Sequence, residues 1–193
     1  PKMNNQTLIE AKNLAFKING NKLFHNLSFS LNDGEALHIS GDNGSGKSTL
    51  IRIILGITKQ TKGYLENHFS NDIAYLGHKN AIKDYLTLED NLLLMGLQDH
   101  NDLKKFLEIL NLNKYRDVIV ANLSFGQQKK LALLRIFLNN SDLIVLDEPF
   151  VGLDTETQKI LSQFLNNELN KKKSIIYTSH IPCEIESKIL EIR

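Results

Sequence analysis

The chain has 193 residues, 41% hydrophobic and 23% charged, with a formal net charge of +1 and one cysteine, Cys183. That length supports a single domain with a real core. The near-neutral balance excludes a strong field for nucleic acid or anionic membrane, and a lone cysteine excludes an internal disulfide.

In chain order, residues 8–18 and 23–31 read as two strands joined by an Asn19-Gly20 hairpin turn. In the second, Leu27, Phe29 and Leu31 alternate with Asn26, Ser28 and Ser30, giving one buried face and one wet face. A short buried strand over 36–40 and a helix over 48–55 flank a glycine-rich stretch, and short strands follow at 64–66 and 73–76. From 77 to about 122 the pattern turns helical. Thr87 and Asp90 mark a capped start for a helix over 88–97. Leu103, Phe106, Leu107 and Leu110 place a second amphipathic helix over 101–110. Ser124 caps a third helix that runs to about 138. The apolar run Leu143-Ile144-Val145-Leu146 is a central parallel strand. A helix over 155–169, a strand over 174–178 and a last strand near 189–192 complete the chain. Lys171, Lys172 and Lys173 read as a solvated helix end. No apolar run reaches the ~18 residues of a membrane span, and the polar first twelve residues do not resemble a signal peptide.

Gly41-Asp42-Asn43-Gly44-Ser45-Gly46-Lys47-Ser48-Thr49 fits the P-loop pattern G-x-x-x-x-G-K-[ST], in its expected place between strand and helix. Its glycines let successive backbone N–H groups turn around one phosphate, and the following helix adds its dipole and unpaired first-turn amides. Lys47 supplies a point charge for the β- and γ-phosphates, and Ser48 a hydroxyl for Mg²⁺. The plainer alternative, a chance glycine-rich turn, does not account for strand, loop and helix together. Ligands gather at the carboxyl ends of parallel strands. Asp147, closing the run 143–146, therefore fits as the metal-organising carboxylate, and Glu148 as the group that polarises an attacking water. His180, at the end of the 174–178 strand, is placed to sense a γ-phosphate. His25, His38, His68 and His100 have no such context and read as ordinary structural residues, as does Cys183.

Leu123-Ser124-Phe125-Gly126-Gln127 would alone be an ordinary capped helix start. With the P-loop and Asp147-Glu148 it resembles the signature of the ATP-binding cassette (ABC) family. Walker A corresponds to 41–49, the LSGGQ-type signature to 123–127 and Walker B to 143–148. Gly152-Leu153-Asp154 matches the family's D-loop and His180 its switch histidine. The resemblance covers nearly the whole chain, 1–193. It implies an α/β P-loop NTPase three-layer sandwich with an antiparallel β flank and a helical subdomain over roughly 78–138. It also implies Mg-ATP hydrolysis, and a homodimer in the ATP-bound state in which Ser124, Gly126, Gln127 and Asp154 of one copy meet the nucleotide of the other.

Two departures from the family stand out. His78 occupies the Q-loop position usually held by glutamine, where the side chain contacts Mg²⁺ or water. An imidazole offers one hydrogen bond per nitrogen where an amide offers several. The aromatic that stacks on adenine is replaced by Ile18; Phe16, two residues earlier on the same strand face, is either its substitute or simply part of the core. Gly77-His78, Ala81-Ile82-Lys83, Leu86-Thr87 and Glu89-Asn91-Leu92 are similar to the haem-exporter ATPases of cytochrome c maturation (the CcmA family). That likeness implies membrane-spanning partner subunits docked near 78–92, no nucleic acid, and a peripheral place on the cytoplasmic face of the inner membrane. The alternatives are another ABC transporter's ATPase, a soluble ABC ATPase acting on ribosomes or DNA, and a small-molecule P-loop kinase. The last leaves 123–127 without a purpose.

Overall fold

A computed structural model describes residues 6–69 and 72–192, and its strands divide between two sheets. β1 (Thr7–Ile18), β2 (Asn21–Asn32) and β4 (Lys62–Asn67) form an antiparallel sheet in the order β2-β1-β4. β3 (Ala36–Gly41), β5 (Ile73–Leu76), β6 (Leu143–Leu146), β7 (Ser174–Thr178) and β8 (Lys188–Ile192) form a second sheet ordered β5-β6-β7-β3-β8, and each of its pairs is parallel. All residues of β6 and β7 are buried, as layers on both faces require. Alternation then sends successive side chains to opposite layers. Leu143, Val145, Ile176, Leu37 and Ile39 pack with the antiparallel sheet and α1 (Lys47–Ile54). Ile144, Leu146, Ile175 and Tyr177 pack with α4 (Phe125–Phe137) and α5 (Thr155–Asn170). The same cluster takes in α2 (Leu88–Leu94) and α3 (Leu103–Ile109) through Leu88, Leu92, Leu103 and Leu107.

This is the three-layer α/β arrangement with an antiparallel flank, and α2 to α4 lie between β5 and β6 in the chain. Thr87 caps α2 through a reciprocal capping box with Asp90. Two helices are shorter than the sequence pattern suggests. α2 stops at Leu94 because Gly96 turns the chain at φ 68°, and α3 ends before Asn111 at φ 56°. The lysine run also differs from expectation. Lys171 and Lys173 each lie 2.7 Å from the buried carboxylate of Glu168, so two of its cations clamp the end of α5. Burial works to raise the pKa of Glu168, and the hydrogen bonds from Lys171 and Lys173 outweigh it, leaving a net lowering.

The topology decides where chemistry can gather. β5, β6, β7 and β3 are consecutive across one parallel sheet, so their carboxyl ends lie side by side. His78 follows β5, Asp147-Glu148 follow β6, His180 follows β7, and the P-loop follows β3.

Candidate functional site

The loop after β3 wraps around its own lysine. Lys47 Nζ donates to the carbonyls of Gly41 and Asp42 at 2.8 and 3.0 Å, and the side chain is buried. Gly46 caps α1 at φ 104°, and a Cβ there would come within 2.9 Å of the Leu23 and Phe24 side chains. Gly41 is equally constrained: a Cβ would meet the Ile192 carbonyl at 2.6 Å and Ser45 Oγ at 2.7 Å. Ser45 Oγ is buried with no hydrogen-bond partner among the described residues. The first-turn amides of α1 open onto a cleft lined by Ile18, Leu23, Asn43, Gly44 and 46–49 on one side and His78, Asp147 and Glu148 on the other.

The carboxylates are held by one buried hydroxyl. Thr178 Oγ1 donates to Asp147 Oδ1 at 2.8 Å and accepts the Glu148 N–H at 2.8 Å. Glu148 adopts φ 50°, a left-handed backbone that a side-chain-bearing residue takes up only when its surroundings over-determine it. Glu148 Oε2 accepts from His180 Nδ1 at 3.0 Å and, more weakly, from the His180 N–H at 3.4 Å. Since an ionised carboxylate only accepts, Nδ1 carries a proton and Nε2 faces away from Glu148. Beneath this pair lies Lys129, almost wholly buried. Burial pushes its pKa down, while the negative charges of Asp147 and Glu148 pull it back up.

The start of α4 closes on the turn before α5. Ser124 Oγ accepts the Gln127 N–H at 3.2 Å and Gln127 Oε1 accepts the Ser124 N–H at 2.8 Å, a complete capping box. The glycine at 126 has a steric reason: a Cβ would sit 2.8 Å from the Gly152 carbonyl. The Phe125 ring lies over Gly152, where a Cβ would meet it at 2.2 Å, and the rest of that ring stays exposed. Asp154 caps α5 through Oδ1, which accepts from the Thr157 N–H and Oγ1, both at 2.8 Å. Its Oδ2 meets Lys130 Nζ at 2.7 Å. The Lys130 ammonium, then the Thr157 amide, lower the Asp154 pKa to about 2.

The structure thus brings Gly44, Gly46, Lys47, Ser48, Thr49, His78, Asp147 and Glu148 to one cleft, with His180 bonded to Glu148. Ser124, Gly126, Gln127 and Asp154 form a separate surface on the same chain. Phe16 goes elsewhere. Its ring stacks on Phe24 at 6.3 Å and packs with the core between the sheets, whereas Ile18 and Leu23 line the cleft. The expected aromatic neighbour of the cleft is therefore replaced by two aliphatic side chains, because the side chain at 16 is drawn into apolar contact with Phe24. Thr178 and Lys129 escaped the sequence reading, since a strand threonine and a helix lysine carry no motif. The signal that finds Thr178 is its place on β7, the strand beside the one that leads into Asp147.

The donor set suits a small hard cation. Ser48, Asp147 and His78 all line this cleft, and no group of three or more His, Cys, Asp or Glu side chains gathers among the described residues. Mg²⁺ is ordinarily held by one or two carboxylates plus phosphate oxygens and water rather than by a full protein cage.

Comparison with known proteins shows the family and the fold. The family model described as "ABC transporter" matches residues 24–151. The cytochrome c biogenesis ATP-binding export protein CcmA of Pasteurella multocida is 31% identical over 95% of this chain and 92% of its own length. The CcmA of Nitrosococcus oceani is 32% identical over 97% and 93%. Among solved structures, an ATP-binding subunit of an ABC transporter superposes with TM-score 0.77 at 26% identity, covering 91% of this chain and 80% of that one. The ADP- and Pi-bound dimeric cassette MJ0796 superposes with TM-score 0.78 at 22% identity over 96% and 94%, a likeness of fold.

Proposed function

This chain belongs to the ABC transporter family, as an ATP-binding subunit resembling CcmA, and from that premise we propose how its site works. The carrying observation is that one parallel sheet delivers the phosphate-binding loop, two carboxylates and a histidine to a single edge. Residues 41–49 cradle the triphosphate, with Lys47 exchanging its loop carbonyls for β- and γ-phosphate oxygens. Ser48 and Asp147 hold Mg²⁺, which neutralises phosphate charge when bound. Glu148, fixed by its backbone bond to Thr178 and by His180, orients and polarises the attacking water; such positioned base catalysis contributes ~10²–10⁴-fold. His180 Nε2 is left clear of Glu148 and can donate to the γ-phosphate when it too carries a proton, and His78 faces the metal side of the cleft. With Ile18 and Leu23 beside the loop, adenine is held by apolar contact rather than by an aromatic stack.

Each copy presents its signature surface away from its own cleft, so the ATP-bound form is a homodimer in which Ser124, Gly126, Gln127 and Asp154 complete the partner's site. Membrane-spanning subunits receive the resulting change of shape. Their docking place is the surface over residues 78–92, where Tyr85 is exposed. Arg135 Nε and Asn80 Oδ1 lie buried beside it without a partner among the described residues. No helix among the described residues is long and apolar enough to cross a membrane; the family likeness is what supports a peripheral place on the cytoplasmic face of the inner membrane. The CcmA likeness points to the export step of cytochrome c biogenesis, with haem the cargo of the membrane subunits.

Phosphate release from Mg-ATP tests the chemistry. Glu148→Gln is expected to bind ATP with turnover lower by about 10²-fold or more; near-normal hydrolysis by that variant removes Glu148 as the water-activating group. Capture of cytochrome c biogenesis membrane proteins from the native host, rather than those of another transporter, tests the assignment of partner.

A further inference from the structure

His38 sits on β3, the strand that runs into the P-loop, in register with Tyr177 of β7. The two rings lie parallel, centroids 4.6 Å apart and 4° between planes. From that stack His38 Nε2 reaches the Ser179 carbonyl at 3.0 Å. A carbonyl only accepts, so Nε2 carries the proton.

The acceptor is one edge of a particular peptide group. The Ser179 carbonyl and the His180 N–H belong to the same planar unit, and that N–H points at Glu148 Oε2, 3.4 Å away. One peptide plane is therefore clamped between a side chain of the P-loop strand and the carboxylate of the hydrolytic site. Tilting the plane would move the N–H and the His180 ring together, loosening both contacts to Glu148. Residues 179–187 have no regular secondary structure to hold that plane instead. The other ties of this stretch, Ser179 Oγ to Ile181, Tyr177 OH to Cys183 Sγ and Ser187 Oγ, Asn166 Nδ2 to the Glu184 carbonyl and Ser187 Oγ to the Ile185 carbonyl, do not bond that carbonyl or that N–H. A donor on the carbonyl also polarises the amide, strengthening its N–H as a donor to Glu148.

We propose that His38 is a positioning residue for ATP hydrolysis, holding the Ser179–His180 peptide so that the amide and the ring of His180 both engage Glu148. The inference rests on the proposed roles of Glu148 and His180. His38→Phe keeps the ring on Tyr177 and removes the donor. Loss of one hydrogen bond at a transition-state contact lowers kcat by about 3- to 10-fold, with KM for ATP unchanged. His38→Gln, whose amide nitrogen can reach the place of Nε2, is expected to recover most of that loss. In a His180→Ala background, which keeps the backbone N–H and loses the ring, the kcat loss on His38→Phe is expected to be smaller than in the wild-type chain. Wild-type turnover by His38→Phe overturns the inference. So does an undiminished loss when His180 is already alanine. If instead His180→Ala and Glu148→Gln both hydrolyse ATP normally, the reading of the site fails first and takes this inference with it.

Discussion

Thr178→Val tests the packing beneath the catalytic edge with little change in shape. Valine replaces a hydroxyl by a methyl, so no cavity forms, and the loss is electrostatic. Two bonds of 2.8 Å disappear, one to Asp147 Oδ1 and one from the Glu148 N–H. Both partners are buried, Asp147 at 2% and Glu148 at 9% exposure, so water replaces neither. An orphaned buried donor costs about 1–3 kcal/mol and a lost bond to a charged group a similar amount. Because both effects pass through one hydroxyl, about 2–4 kcal/mol in total is expected rather than their full sum. For a chain of this size each 1 kcal/mol lowers Tm by about 2–4 °C, so calorimetry should show a fall of roughly 4–16 °C. Turnover should fall as well, because Glu148 keeps its φ of 50° only while its amide is anchored. Thr178→Ser keeps the hydroxyl and is expected to cost about 1 kcal/mol for the lost methyl. A valine variant within about 0.5 kcal/mol of wild type, or a serine variant as damaged as valine, refutes the reasoning.

Gly46→Ala places a methyl against Leu23 and Phe24 at a φ of 104°, so it should weaken nucleotide binding at least tenfold, read by titration with a fluorescent ATP analogue. Asp154 supplies a pH test. Its pKa falls from 3.8 to about 2 on folding, so the stability it contributes is fully present above pH 3.8 and is lost as pH drops towards 2. Lys130→Met removes the main cause. After discounting for the solvent exposure of Asp154, the variant should lose about 1 kcal/mol at pH 7 in urea melts, and the difference should close across that acid window. Glu168→Gln should destabilise the chain by about 1–3 kcal/mol at neutral pH by leaving Lys171 and Lys173 without their buried carboxylate. Measured in the same melts, that difference should shrink as pH falls below 4.5, where the unfolded-state carboxylate protonates.

What the sequence made legible is what repeats locally. The buried run 143–146, the hairpin at Asn19-Gly20 and the Thr87 and Ser124 caps each follow from neighbours within four residues, and the structure places them as expected. The P-loop is legible for the same reason, since its glycines, lysine and hydroxyls fall within nine consecutive residues, 41–49. Long-range partnership is harder to read. The sequence reads His38 as an ordinary histidine because its partner, the Ser179 carbonyl, is 141 residues away. Thr178 reads as one more strand residue until β7 is seen beside β6. Phe16 goes astray in the opposite sense: alternation identifies its strand face, but only the structure shows Phe24 claiming that ring. Lysines 171–173 look solvated because nothing local announces that Glu168, at the end of α5, is buried.

Light scattering of the Glu148→Gln chain with saturating Mg-ATP tests the engine itself, two copies closing on shared nucleotide. The mass should double when ATP is added, and Ser124→Glu, which sets a carboxylate against the partner's phosphates, should return it to a single copy. A chain that binds ATP stoichiometrically yet keeps the mass of one copy contradicts the account.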